Sequence, residues 1–317
     1  MPIRGGTPLT RDLGLVLLLG MLWGSPYALT KIALVTIPPM TLVAGRVALA
    51  AAVLWMVVVL RRQEVPKTWH FARLLFIQGM ISCVIPYTLI TFGQRTVESG
   101  LAAILNSSTP LIVCLIGVLW MHQETLTARR IFGVATGFGG VIGVAGASAL
   151  YGLGDHVLGQ AMIIVATVSS AASVIHGRRF DFVAPEVVAA GMLTASAILL
   201  TPLCLMLEVP WQSSPSAASL LALFVNAAIA TALGFVVYFR LIRSIGSVGT
   251  ASASYVKPAV GVLIGCGLLG EPLTWPLAGG LLAILIGVAA INTPPRIMQP
   301  EPRPQNGGVG ASSNTAP

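Results

Sequence analysis

Pro110 is followed by Glu124-Thr125-Leu126-Thr127, Gly133 and Gly140-Val141, and Pro258 is followed by Glu271-Pro272-Leu273-Thr274, Gly280 and Gly287-Val288. In both copies the first Gly stands nine positions after the Glu, and the second Gly seven positions after the first. The copies are offset by 147 residues, with a slip of one residue before the Glu. The chain therefore repeats itself once, and the length of the repeat has a meaning that depends on what surrounds it.

What surrounds it is apolar. Hydrophobic residues make up 56% of the 317 positions and charged residues 9%, against about 25% charged in a soluble domain. Mean hydropathy is +0.88. So few charges cannot cover a soluble surface, and the composition is that of an integral membrane protein. Apolar runs fall at about 13–35, 41–60, 72–93, 100–120, 131–150, 158–176, 186–207, 217–239, 248–269 and 275–293. They are long and continuous rather than alternating, which excludes a transmembrane barrel and predicts an all-α protein of ten transmembrane helices. At about 28 residues per span and loop, an offset of 147 residues is five spans. Five is odd, so the two copies face opposite ways across the bilayer, as in many secondary transporters that bind substrate near the midplane between inverted halves.

Charge sets the orientation. With the N-terminus in the cytoplasm, 14 of the 18 Lys and Arg fall in inside segments, among them Arg61, Arg62, Arg129, Arg130, Arg178, Arg179, Arg240 and Arg243. Only Arg95 falls in an outside connection, and Lys31, Arg46 and Lys257 lie within spans. This bias predicts both termini inside. The net charge of +8 comes in short clusters between apolar runs, so no nucleic-acid face is expected. Arg4 and Arg11 precede Leu13–Trp23 as in a signal peptide, but no A-x-A-like site follows, and the run is read as a first span that is kept. The tail 294–317 is rich in Pro, Gly, Ser and Asn and is expected to be disordered.

At this point the residues resemble a known family. Trp23-Gly24-Ser25, Arg46, Gln94-Arg95-Thr96-Val97-Glu98-Ser99-Gly100, Asn106-Ser107-Ser108-Thr109-Pro110-Leu111 and Gly270-Glu271-Pro272-Leu273-Thr274 are similar to segments of EamA-type members of the drug/metabolite transporter superfamily. The resemblance covers both halves. It implies ten helices in two inverted five-helix repeats, 13–150 and 151–293, after a cytoplasmic N-terminus at 1–12. It also implies a bacterial inner-membrane location and export or exchange of small metabolites, with a cavity lined by spans 1, 3, 4, 6, 8 and 9.

Candidate site residues follow from the cost of polarity in a bilayer. An unpaired charge at the centre of a span costs about 3 kcal/mol on the insertion scale. Lys257 lies near the middle of span 9 and is the first candidate for substrate contact. Arg46 lies one to two turns into span 2, with a structural role beside carbonyls or a helix end as the alternative. Lys31, near a span end, is read as snorkelling to the interface. Pro110 and Pro258 are candidate hinges, because proline frees the carbonyl four residues earlier, here Asn106 and Ser254. A plain kink is the alternative. Trp23 and Tyr27 share a helix face, and Tyr87, Asn226 and Tyr255 are further candidates to line a partly aromatic, polar cavity. Their alternative is ordinary packing and interhelical hydrogen bonding.

All ten acids are placed in connections, tails or span ends, so no midplane carboxylate proton relay is expected. The excess of cations predicts a small-molecule substrate with an anionic group, such as an amino acid or organic acid. Glu124 and Glu271 are read as structural, Glu271 at the start of span 10. Cys83, Cys114, Cys204 and Cys266 sit apart in apolar runs and are read as core residues, so neither metal nor disulfide is expected, and no cofactor. Two enzyme-like strings fail. Gly152-Leu153-Gly154-Asp155 lacks a second aspartate at membrane depth, and Gly146-Ala147-Ser148 lacks a histidine there. An intramembrane enzyme is thus the weaker alternative to a transporter. A flippase for lipid-linked head groups is the alternative within the fold. The small-residue spacings leave the oligomeric state open.

Overall fold

The computed structural model describes residues 8–119, 127–151, 155–180, 182–251 and 253–292. These residues are helical, with no strand among them. Glu124, Ser252, the 152–154 part of the aspartyl-like string and the tail from 294 lie outside the described residues. The helices are α1 (Pro8–Gly24), α2 (Pro26–Ala33), α3 (Pro39–Leu60), α4 (Trp69–Gly79), α5 (Ile85–Gly93), α6 (Ser99–Asn106), α7 (Thr109–Leu119) and α8 (Ala128–Tyr151). They continue with α9 (Asp155–Gly177), α10 (Pro185–Leu207), α11 (Ala217–Phe224), α12 (Gly234–Ala251), α13 (Ala253–Leu269) and α14 (Trp275–Asn292). Seven continuous helical stretches are long and apolar enough to cross a membrane, and the shorter apolar helices Ala253–Leu269 and Trp275–Ala290 accompany them.

Local chemistry places the boundaries. Pro26, Pro39 and Pro185 open their helices, where the missing N–H has no intrahelical partner to lose. Thr68 and Ser216 cap α4 and α11 by accepting from Phe71 N and Ser219 N. Two segments between helices are π-helical: Met80–Val84 joins α4 to α5, and Val225–Leu233 joins α11 to α12. Pro86 follows the first. The carbonyls of Gly79 and Ile81 accept from Ser196 Oγ and Ser169 Oγ at 3.2 and 2.8 Å, so neighbouring helices satisfy the widened turn.

One expectation needs correction, and two are sharpened. The span predicted over 100–120 is present as the apolar stretch Ser99–Ile116, divided by a short turn at 107–108 into α6 and α7, with Pro110 the second residue of α7. Pro258, by contrast, lies inside α13. The connection expected at 240–247 is helical, because α12 runs on to Ala251. Asp12, at the start of the first span as expected, is buried and accepts from Ser244 Oγ at 2.7 Å.

Two helix pairs form the walls. In α3 and α10, Glu208 at the C-cap of α10 accepts from Met40 N, Thr41 N and Thr41 Oγ1 at 2.9, 2.7 and 3.0 Å, capping α3. At the other end Glu186, in the first turn of α10, binds Arg61 at the C-cap of α3 (2.8 Å) and Arg243 of α12 (3.0 Å). The two helices are therefore antiparallel, and each end is fastened by an acid of α10. Their contact is filled by Val47, Leu54, Leu193 and Leu200. Val209 follows Glu208 at φ 41°, a strained conformation for a β-branched residue and doubly so before Pro210.

The second pair, α8 and α14, meets through glycines. A Cβ on Gly140 would lie 3.1 Å from the Gly280 carbonyl, and one on Gly287 would lie 2.5 Å from the Gly133 carbonyl. The early glycine of one helix thus faces the late glycine of the other, so this pair is antiparallel too. A second core of Ile104, Leu105, Leu111, Ile163 and Ile284 lies beside it. Tyr87, beside Arg46, packs on the first core, and Tyr27, beside Lys257, belongs to the second.

Candidate functional site

Lys257 reaches from α13 across to α6. Its Nζ donates to Asn106 Oδ1 at 2.7 Å, and Tyr27 Oη of α2 donates to the same oxygen at 2.8 Å. Two donors on one oxygen fix the carboxamide, whose Nδ2 then faces Thr167 Oγ1 at 3.4 Å. The ammonium also stands 5.7 Å from the centre of the Tyr27 ring, within cation–π range. Gln94 Nε2 holds the Tyr27 carbonyl at 2.8 Å. Lys257 is half-buried while Asn106 and Tyr27 are buried. A cation in a span thus rests on neutral partners, and its charge is not cancelled.

Asn106 can reach this position because the helix stops there. Its carbonyl accepts from Thr109 Oγ1 at 2.7 Å, and Ser107 and Ser108 turn their hydroxyls back to Ala103 O and Leu105 O at 2.6 and 2.7 Å. The run of small hydroxyl residues before Pro110 thereby satisfies the broken helix end internally. The side chain of Asn106, rather than its carbonyl, is what faces Lys257.

Arg46 forms a second centre. Its Nε donates to Thr231 Oγ1 at 3.0 Å, and its Cζ lies 4.0 Å above the Tyr87 ring. Thr231 in turn donates to Asn226 O at 2.8 Å, five residues back along the π-helical segment. Asn226 is fully buried, with Nδ2 directed to Thr30 Oγ1 at 3.2 Å. Neither Lys257 nor Arg46 pairs with a carboxylate among the described residues.

The remaining candidates lie elsewhere. Trp23 packs on Tyr238 and Phe235, with centroids 5.1 and 6.1 Å apart. The Tyr255 hydroxyl turns away to Val288 O of α14 at 3.2 Å. Glu271 caps not its own helix but α6, accepting from Ser99 N, Ser99 Oγ and Gly100 N at 2.6, 2.9 and 2.9 Å. None of the four cysteines is in a disulfide. An open apolar groove of ≈ 350 Å³ between α8 and α14, lined by Gly139, Gly143, Pro276 and Gly279, is separate from both cationic centres.

Thr231 and Thr167 were not singled out by the sequence, and Gln94 entered only within the family-like segment 94–100. A polar residue five positions from Asn226 signals nothing while the segment is taken as an ordinary α-helix. The one available sign was the repeat: shifted by 147 residues, Met80–Val84 falls inside Val225–Leu233.

A multi-pass helical bundle that holds cations within its spans on neutral partners is the kind of arrangement that marks solute pathways in membrane proteins. The chain belongs to the EamA-like transporter family, whose model matches residues 12–146 and again 157–293. It is 27% identical over 300 residues to the uncharacterized transporter YvbV of Bacillus subtilis (strain 168), covering 90% of this chain and 93% of that one. It is 26% identical over 269 residues to the uncharacterized inner membrane transporter YedA of Escherichia coli (strain K12), covering 82% and 84%. A solved crystal structure shares the fold at a TM-score of 0.65 with 20% identity, over 90% of this chain and 99% of that one.

Proposed function

We propose that the protein is a secondary transporter of the bacterial inner membrane that moves a small polar metabolite bearing an anionic group. Its helices make ten crossings in two inverted sets of five, with both termini in the cytoplasm. The observation that carries the substrate reading is Lys257, half-buried and held by Asn106 and Tyr27, with no neutralising carboxylate among the described residues. A desolvated cation attracts a carboxylate far more strongly than it does in water, and it repels a cationic drug. The inverted arrangement is supported by α8 and α14, where the first glycine of each repeat faces the second glycine of the other. The orientation is supported by the excess of Lys and Arg in one set of connections.

Access alternates between the two faces. Since no carboxylate among the described residues pairs with Lys257 or Arg46, transport is read as facilitated diffusion or exchange with no obligatory acid relay. The test is uptake and counterflow by proteoliposomes across a panel of amino acids, organic acids, sugars and permanent cations. Anionic or zwitterionic solutes should move without an imposed pH gradient. Selective movement of permanent cations, or strict dependence on a proton gradient with no exchange mode, contradicts the reading.

A further inference from the structure

The Arg46 guanidinium is constrained in two ways that leave one edge unoccupied. Tyr87 fixes its plane by stacking, and Thr231 fixes its rotation by accepting from Nε. The Thr231 hydroxyl hydrogen is directed to Asn226 O, so a lone pair is what Thr231 offers to Arg46. Guanidinium carries five N–H donors. Only the Nε donor has a partner among the described residues, and the Nη donors have none. Arg46 is half-buried, and an uncancelled guanidinium at such a place is costly unless something binds it. Its two Nη groups form a rigid fork matched to carboxylate and phosphate oxygens.

The support for this fork is built from unusual backbone. Thr231 lies in the π-helical Val225–Leu233, and Tyr87 follows the π-helical Met80–Val84 by three residues. The two segments occupy equivalent positions of the repeats, and Arg46 stands between them. π-turns inside helices are frequent at functional sites. Here the extra residue per turn is what lets a threonine hydroxyl bond the carbonyl five residues earlier while facing α3.

We propose that Thr231 is a positioning residue that holds Arg46 as a preformed two-pronged receptor for a planar or tetrahedral oxyanion, a carboxylate or a phosphate, of the molecule carried. The proposal rests on the transport reading only in taking that oxyanion as part of the cargo. Lys257 has its own hydrogen-bond partner in Asn106, which Tyr27 shares.

The experiment follows the reaction of Arg46 with phenylglyoxal, which needs free Nη groups, in the purified full chain by peptide mass spectrometry. Sodium acetate, glycine, succinate and inorganic phosphate are compared with sodium chloride at equal ionic strength, and the anion that protects distinguishes a carboxylate from a phosphate receptor. Arg46 should react in chloride and be protected by at least one oxyanion. Thr231→Val should weaken that protection about tenfold, whereas Thr231→Ser, which keeps the hydroxyl, should retain it. A residue that serves the fold alone would not show this rescue. Should Thr231→Val fail to fold, Thr231→Ala takes its place, and the wild-type protection is read without any variant. An Arg46 that is inert in chloride, protection by none of the oxyanions, or equal protection in Thr231→Val and wild type each overturns the proposal. Protection without flux of the protecting anion in proteoliposomes keeps the receptor and removes the transport reading. Flux with Arg46 unprotected overturns the receptor alone.

Discussion

Lys257 Nζ and Asn106 Oδ1 meet at 2.7 Å from positions 151 residues apart in the chain. Each stands just before a proline that the sequence repeats, Lys257 directly before Pro258 and Asn106 four residues before Pro110. The contact joins the two copies of the same motif, one used as a broken helix and the other as a continuous one. Its partner oxygen is neutral, so the ammonium keeps its charge for a ligand.

Lys257→Met removes that charge while keeping length and apolar volume. If the ammonium contacts the anionic group, the loss costs about 1.5–3 kcal/mol, which is roughly a tenfold or greater rise in the half-saturating concentration of anionic substrate. Proteoliposome uptake at matched protein density measures it. Unchanged half-saturation for every anionic solute counts against the contact.

Glu186 is 1% exposed and binds two arginines that are 45% and 53% exposed. Its removal leaves no buried charge behind, and solvent already screens the arginines. Glu186→Gln should therefore destabilise the protein by about 1–2 kcal/mol, below the loss expected from breaking a fully buried pair. Thermal melting in detergent reads the change. In an Arg61→Gln/Arg243→Gln background, where the buried carboxylate is left without its partners, the same substitution should instead restore stability.

Gly287 and Gly139 make a matched pair of tests. A Cβ on Gly287 meets backbone atoms of Gly133 and Gly137 at 2.5 and 2.8 Å, which no rotamer change relieves, whereas a Cβ on Gly139 meets nothing within 4 Å. Gly287→Ala should cost about 1–3 kcal/mol by forcing the helices apart. Gly139→Ala should be neutral or stabilising, by up to about 1 kcal/mol from helix propensity. Equal melting temperatures for the two variants would refute the close approach of α8 and α14.

Glu98 lies in the connection before α6. Burial first, and then the like charge of Glu271, hold its carboxyl above the ordinary range, against the opposing pull of Lys31 and His156. A carboxyl raised in the folded state binds its proton more tightly there than in the unfolded chain. Stability is then greatest below the unfolded value near pH 4 and falls as pH climbs through the folded one. Glu98→Gln should flatten this fall and raise the melting temperature at neutral pH. A pH profile of melting identical to that of the wild type would dismiss the effect.

The membrane class, the helical content and the places of most apolar runs were legible because hydrophobic length alone determines them. The acids at span ends were legible for the same reason. The break at Asn106 was not, since a proline in an apolar run reads equally as a kink, and only the hydroxyls of Ser107, Ser108 and Thr109 make the break affordable. The helical 240–247 stretch was hidden by Arg240 and Arg243, which read as a loop, although Arg243 has Glu186 beside it. Lys257 and Arg46 stood out as charges in apolar surroundings. Their partners, Asn106 and Tyr27 for one and Thr231 and Tyr87 for the other, depend on long-range packing that no local pattern encodes.

The crossed glycines of α8 and α14 bear on how such a chain can be divided. Their reciprocal contact is the geometry by which two like subunits meet across a twofold axis, although here a single polypeptide supplies both sides. A fragment ending at residue 151 leaves Gly133 and Gly140 without their partner helix, and a fragment beginning at residue 155 leaves Gly280 and Gly287 in the same condition. Each fragment carries the mate of the other, so the two halves, made as separate chains in one cell, have a built-in means of finding one another without the link between them.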